Sequence, residues 1–219
     1  MIPPKVLVEL EMVERMLRSR GVAIDQLQEL VDGRVPREAL PVLIMALPEV
    51  DTPEVRRTII RALTDRAARG IAARPLIREL ARAKAEGDEL TAWVVGNALC
   101  QVGDDSVSED LVAAVRDPSF GRARETLAEA LGRVEPRPQV VAALTDLLSE
   151  GAITGHAIGA LGKLGAWEAR AAVEPFLTHP MPWVRKEATK ALERMEKAQA
   201  RPEQNKARAS LPRTRSSRG

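Results

Sequence analysis

The sequence predicts an all-α fold, a right-handed α-solenoid of about five two-helix repeats with an N-terminal helical cap. Three observations predict it. An Ala-Leu pair returns in the same helical context at Ala62-Leu63, Ala98-Leu99, Ala130-Leu131, Ala160-Leu161 and Ala191-Leu192, at steps of 36, 32, 30 and 31 residues. Aromatic residues make up only 2% of the chain and Tyr is absent, so the core must rest on Leu, Val, Ile, Met and Ala. That bias suits close-packed helices better than a sheet. Turn signals also separate the apolar runs at regular intervals.

The cap spans residues 1–35. Pro3-Pro4 open its first helix, with Val6, Leu7, Leu10, Val13 and Leu17 on one stripe and Gly21 at its end. A shorter helix from about Asp25 carries Leu27, Leu30 and Val31. The repeat array follows over residues 36–197. First helices carry Leu40, Val42, Leu43 and Leu47, then Leu76, Ile77 and Leu80, then Leu111, Val112 and Val115. The last two carry Val140, Val141, Leu144, Leu147 and Leu148, and Val173, Phe176 and Leu177. Asp51-Thr52-Pro53, Gly87-Asp88, Asp117-Pro118, Gly151 and His179-Pro180 stand ahead of the second helices, which hold the Ala-Leu pairs.

Aligning the second helices on each Ala tests the repeat. Offset −7 holds Val55, Thr91, Ala123, Ile153 and Val184; offset −3 holds Ile59, Val95, Leu127, Ala157 and Ala188. Offset +4 holds Arg66, Val102, Val134, Leu164 and Met195. With the pair itself, these offsets form one face of an α-helix, apolar at most positions.

Val55-Arg56 with Ala62-Leu63, Ala123-Arg124 with Ala130-Leu131-Gly132, and Trp183-Val184-Arg185 with Ala191-Leu192 carry a family resemblance. Each follows a turn containing Pro with Asp or His. The chain resembles the short HEAT-like repeat, including the version in bilin-lyase-type HEAT proteins, over roughly residues 36–196. The resemblance implies an α-solenoid in which the Val-Arg arginine braces neighbouring turns. Thr91-Ala92 and Ile153-Thr154 depart from the pattern, so two units should lack that brace.

Charge is uneven. The chain's formal net charge is +2, but residues 201–219 hold six basic residues and one acid; removing that +5 leaves −3 for residues 1–200. A mildly acidic array is a poor match for duplex DNA, whose binding rests on neutralised phosphates. The segment 198–219, with Pro202, Pro212 and one Leu, is expected to be a disordered basic tail able to contact nucleic acid or an acidic partner weakly. Cys100 is the single cysteine, so no intramolecular disulfide is expected. Glu9 and Glu11 interrupt the first apolar run, arguing against a signal peptide, and no stretch approaches the length of a membrane helix. The expected compartment is the cytoplasm.

Catalytic constellations are sparse, and neither a metal nor a cofactor is expected. His156 and His179 have no further His or Cys at ligand spacing, and HExxH, GxxxxGK[ST] and strand-linked GxGxxG motifs are missing. HEAT-repeat deoxyhypusine hydroxylases bind iron through His-Glu pairs, where this chain has His156-Ala157 and His179-Pro180. HEAT-like alkylpurine DNA glycosylases use Trp with an acidic side chain in a cationic groove; here Asn97 stands four residues from Trp93, and Glu125 and Glu129 follow in the next unit. The bilin-lyase resemblance implies an alternative accessory or catalytic role in tetrapyrrole attachment, with no residues assigned to it. Cys100 reads as a bystander thiol.

The surface stripe carries the preferred function. Offsets −5 and −1 place Arg57/Arg61, Trp93/Asn97, Glu125/Glu129, Gly155/Gly159 and Lys186/Lys190 side by side, away from the core. An exposed Trp near bare glycines is the expected form of a binding patch. The chain is therefore expected to be a non-enzymatic scaffold for a protein or peptide partner, using Arg57, Arg61, Trp93, Asn97, Glu125, Glu129, His156 and Lys190. The competing reading packs Trp93 under the loop of the 36-residue step and treats the charged pairs as solvated surface. Trp167 and Trp183 read as structural, and His179 as a turn residue.

Overall fold

The computed structural model of the chain describes residues 3–210. Helix accounts for 76% of it, and no strand occurs among the described residues. Twelve α-helices follow in order there: α1 Pro4–Ser19, α2 Glu29–Asp32, α3 Ala39–Ala46, α4 Pro53–Ala62, α5 Ala73–Glu86 and α6 Glu89–Val102. The remainder are α7 Ser108–Arg116, α8 Ala123–Leu131, α9 Pro138–Asp146, α10 Thr154–Leu164, α11 Arg170–Val173 and α12 Pro182–Ser210. Short 3-10 turns link several of them.

Helices α4, α6, α8, α10 and α12 carry the Ala-Leu pairs. Each packs on the next, α4 on α6 through to α10 on α12, and α5, α7, α9 and α11 pack against the helix that follows them. Burial follows the aligned offsets. All residues at −7, −3, 0 and +1 are buried, from Val55 to Leu192. Offset +4 is less uniform: Val102, Val134 and Met195 are buried, whereas Arg66 is exposed and ends its unit in solvent.

Local chemistry fixes the helix ends. Gly87 at φ 68° closes α5 in a left-handed conformation that disfavours other residues. Asp88 then caps α6 by accepting from the Thr91 N–H at 2.9 Å. In the cap, the buried stripe of α1 is Val6, Glu9, Val13 and Leu17, and Leu7 is 51% exposed rather than inward. The reason is polar. Glu9 accepts from the N–H groups of Asp51 at 3.2 Å and Thr52 at 3.0 Å, donors left free at the start of α4. This turns Leu7 outward. Leu177 in the last unit is likewise 43% exposed, because its segment is a 3-10 turn rather than a continuing α-helix.

Two of the three arginines at the Val-Arg positions, Arg56 and Arg124, act as cross-braces. Arg56, fully buried, donates to both Glu86 oxygens, and its Nε lies 3.3 Å from buried Glu79. Arg124 donates to the Val115 carbonyl at 2.6 Å and to both Glu150 oxygens. Arg185 reaches only its own turn, at the His179 and Pro180 carbonyls. Ala92 and Thr154 stand at the same position in the other two units, and Thr154 bonds the Leu148 carbonyl instead. At those two joints small residues bring the helices close: a Cβ on Gly162 would stand 2.5 Å from Ala191 Cα, and one on Gly96 would stand 2.0 Å from Thr126 Oγ1.

The expected tail boundary at residue 198 falls inside α12, which runs to Ser210. The rest of the basic tail, residues 211–219, lies outside the described residues.

Candidate functional site

The expected stripe divides into two clefts. The first, of about 390 Å³, is lined by Arg61 from α4 and by Trp93 and Asn97 from α6, over Leu30, Val35 and Val94. Trp93 is 39% exposed at its edge. The indole is thus partly open to solvent in a cleft that it shares with these apolar side chains, and the cap supplies one wall. The Asn97 side-chain amide donates to the Trp93 carbonyl at 3.3 Å, which orients its oxygen outward from that bond.

The second cleft, of about 320 Å³, lies where α8, α10 and α12 meet. Glu129, His156, Lys163, Trp183 and Glu187 line it, with Gly155 and Gly159 at its floor. His156 Nδ1 and Glu129 Oε1 are 2.7 Å apart, and His156 Nε2 lies 3.8 Å from Glu125. The His156 hydrogen bond, with help from Lys163 and against partial burial, holds the Glu129 carboxyl below its ordinary range. The Trp183 ring centroid is 5.5 Å from that of His156.

Each expected site residue now has a place. Arg61, Trp93 and Asn97 converge, as do Glu125, Glu129 and His156. Arg57 does not join either group: its guanidinium is tied to Asp88 at 3.4 Å and Thr91 Oγ1 at 3.3 Å, leaving the side chain 15% exposed. Lys190 pairs with Glu187 at 2.9 Å on the far side of the second cleft. Gly155 is not bare, because Trp183 covers it. That Trp183, which begins α12, reaches back to α10 was invisible in a reading confined to offsets −5 and −1. It sits at offset −8, two turns ahead of the Ala, and could have been found by extending the stripe toward the N-terminus.

Cys100 is buried, its thiol donates to the Thr126 carbonyl at 3.1 Å, and burial pushes its pKa up to about 12, so it is no nucleophile at neutral pH. Among the described residues, no group of three His, Cys, Asp or Glu side chains is placed to hold a metal ion, and no helix is long and apolar enough to cross a membrane.

No family model matches the chain, and no curated protein or solved structure matches it.

Proposed function

We propose that this chain is a HEAT-like α-solenoid that binds an extended protein or peptide segment across its second helices, with the Trp93 cleft as the apolar anchor site. The stacking of each second helix on the next supports the solenoid reading, since such a row presents the same face of every unit to one partner. The single observation that carries the binding reading is Trp93. A half-exposed indole over an apolar floor, edged by Arg61 and Asn97, is the composition of an interface hot spot.

The test uses displayed random peptides panned on the wild-type chain, followed by synthesis of the recovered sequences. Trp93→Ala should weaken a recovered peptide by about thirtyfold, the scale of a hot-spot loss, while Tm stays within about 2 °C of wild type. Unchanged affinity would place the partner elsewhere. A large fall in Tm would make Trp93 a packing residue.

A further inference from the structure

The stripe of offsets −5 and −1 continues by one more turn. Offset +3 lies four residues beyond −1 on the same face and carries Asp65, Gln101, Arg133, Lys163 and Arg194. The last three are cations in consecutive units, and all three are exposed. Because α8 packs on α10 and α10 on α12, the three follow one another as a ladder, with Lys163 and Arg194 on neighbouring helices and Arg133 in the turn that leaves α8.

The ladder is continuous with the clefts. Lys163 lines the Trp183 cleft and also a larger one of about 660 Å³, shared with Arg194, Lys197, Gly162, Gly165 and Ala198. None of Arg133, Lys163, Arg194 and Lys197 forms an ion pair with a carboxylate among the described residues. Nearby carboxylates have closer partners, Glu129 with His156, Glu187 with Lys190 and Glu196 with Arg170 at 3.6 Å, and Lys163 acts on Glu129 only at longer range. Arg133 makes only a long contact, 3.4 Å, to Gln101 Oε1. Favourable placement at a helix C-terminus accounts for Lys163 in the last turn of α10 and Arg133 just beyond α8. It does not account for Arg194 and Lys197, which stand in the interior of α12.

We infer that the segment bound across the second helices is acidic, and that Arg133, Lys163 and Arg194 receive its carboxylates. This rests on the peptide-binding reading above and specifies its partner. Neighbouring second helices pack directly on one another, and closely at the α10–α12 joint, where a Cβ on Gly162 would stand 2.5 Å from Ala191 Cα, so an extended chain crossing them passes successive rungs within a few residues. A polyproline II segment advances ~3.1 Å per residue with three residues per turn, so every third side chain returns to one side after ~9.3 Å. Carboxylates returning at that interval on one side of an extended segment are the pattern matched to rungs on successive helices, and the cleft between Lys163, Arg194 and Lys197 admits the last of them.

The experiment is fluorescence anisotropy with a dye-labelled, proline-rich peptide bearing Glu at every third position and no other apolar side chain. A control peptide of the same composition has its Glu residues clustered. The full chain should bind the spaced peptide saturably and more tightly than the clustered one. Lys163→Glu with Arg194→Glu should weaken binding by about tenfold or more, as expected for two solvent-exposed charge contacts reversed. Lys163→Gln with Arg194→Gln, milder changes, should fall between, and circular dichroism melts confirm that both variants are folded. No saturable binding up to millimolar peptide, or equal binding by the reversed variant, overturns the assignment. Tighter binding of a single-stranded oligothymidylate at the same residues overturns it in favour of a polyanion site. Trp93→Ala should leave this peptide's affinity within about twofold because the peptide has no anchor for that cleft, so failure of the ladder and failure of the Trp93 cleft are read separately.

Discussion

The indole of Trp183 occupies the space that a side chain at Gly155 would need: a Cβ there would stand 2.0 Å from Cζ3 and 2.1 Å from Cη2 of the ring. The glycine on α10 is thus the seat for an aromatic residue at the start of α12, and it sets the floor of the second cleft.

Gly155→Ala should therefore swing Trp183 out of the cleft. The ring is 38% exposed and can rotate into solvent, so the gain in helix propensity, up to ~1 kcal/mol, offsets much of the cost. Gly162→Ala is different, because its obstacle is the Ala191 backbone, which cannot rotate away. It should cost about 1–3 kcal/mol through separation of α10 and α12. Urea titration distinguishes the two, and tryptophan emission should shift only for Gly155→Ala. Equal costs would show that the helices, not the indole, yield in both.

Arg56→Met should be among the most damaging single changes. It leaves Glu79, 4% exposed, without its adjacent guanidinium and with only Arg82 at longer range, and such a broken buried pair costs about 3–5 kcal/mol. Replacing Glu79 by Met in the same chain should recover a substantial part, since the stranded carboxylate is then gone. Chemical denaturation of the single and double variants checks this. A double variant no better than Arg56→Met would mean that Glu86 and packing carry the loss.

Acid should loosen the braced joints. The Arg56 hydrogen bond, aided by Arg82, lowers the Glu86 carboxyl from 4.5 to about 2, and Arg124 lowers Glu150 in the same direction. Carboxyls depressed in the folded state bind fewer protons than in the unfolded state, so stability is full above 4.5 and drains as pH falls toward about 2. Glu86→Gln with Glu150→Gln should flatten the fall of Tm across that window. An unchanged profile would show that other carboxyls govern acid unfolding.

Cys100 should resist thiol reagents in the folded chain. Its thiol is held protonated by burial and bonded to the Thr126 carbonyl. Titration with an aromatic disulfide should detect no reactive thiol under native conditions and a single one in guanidinium. Rapid native labelling would mean that α6 and α8 part readily.

The repeat was legible because the same offsets bury the same kind of residue in each unit, so apolar periodicity alone aligns Val55 with Val184 and Ile59 with Ala188. What escaped the stripe reading depends on distant partners. Arg57 looked like free charge, yet Asp88 arrives from the next unit through the Gly87 turn and ties it down. Glu9 looked like an interruption of an apolar stripe, yet its partners are backbone donors more than forty residues away. The clefts themselves were half visible: Trp93, Asn97 and Arg61 shared a row, whereas Trp183 and Lys163 lay beyond its two ends.

The arginine braces have a consequence for how the chain can change in length. Arg56 of the first unit grips Glu86 of the second, and Arg124 of the third grips Glu150 of the fourth, whereas Ala92 and Thr154 leave the joints after them to glycine contacts. Two kinds of junction thus alternate. Excising the second unit alone would remove Lys84 with it and set Arg56 beside Asp117, so that two arginine-bearing joints would follow in succession. Excising the second and third together would set Arg56 beside Glu150, a carboxylate already placed for an arginine. Dropping or duplicating units in twos keeps the alternation of junctions, whereas an odd number sets two like junctions side by side.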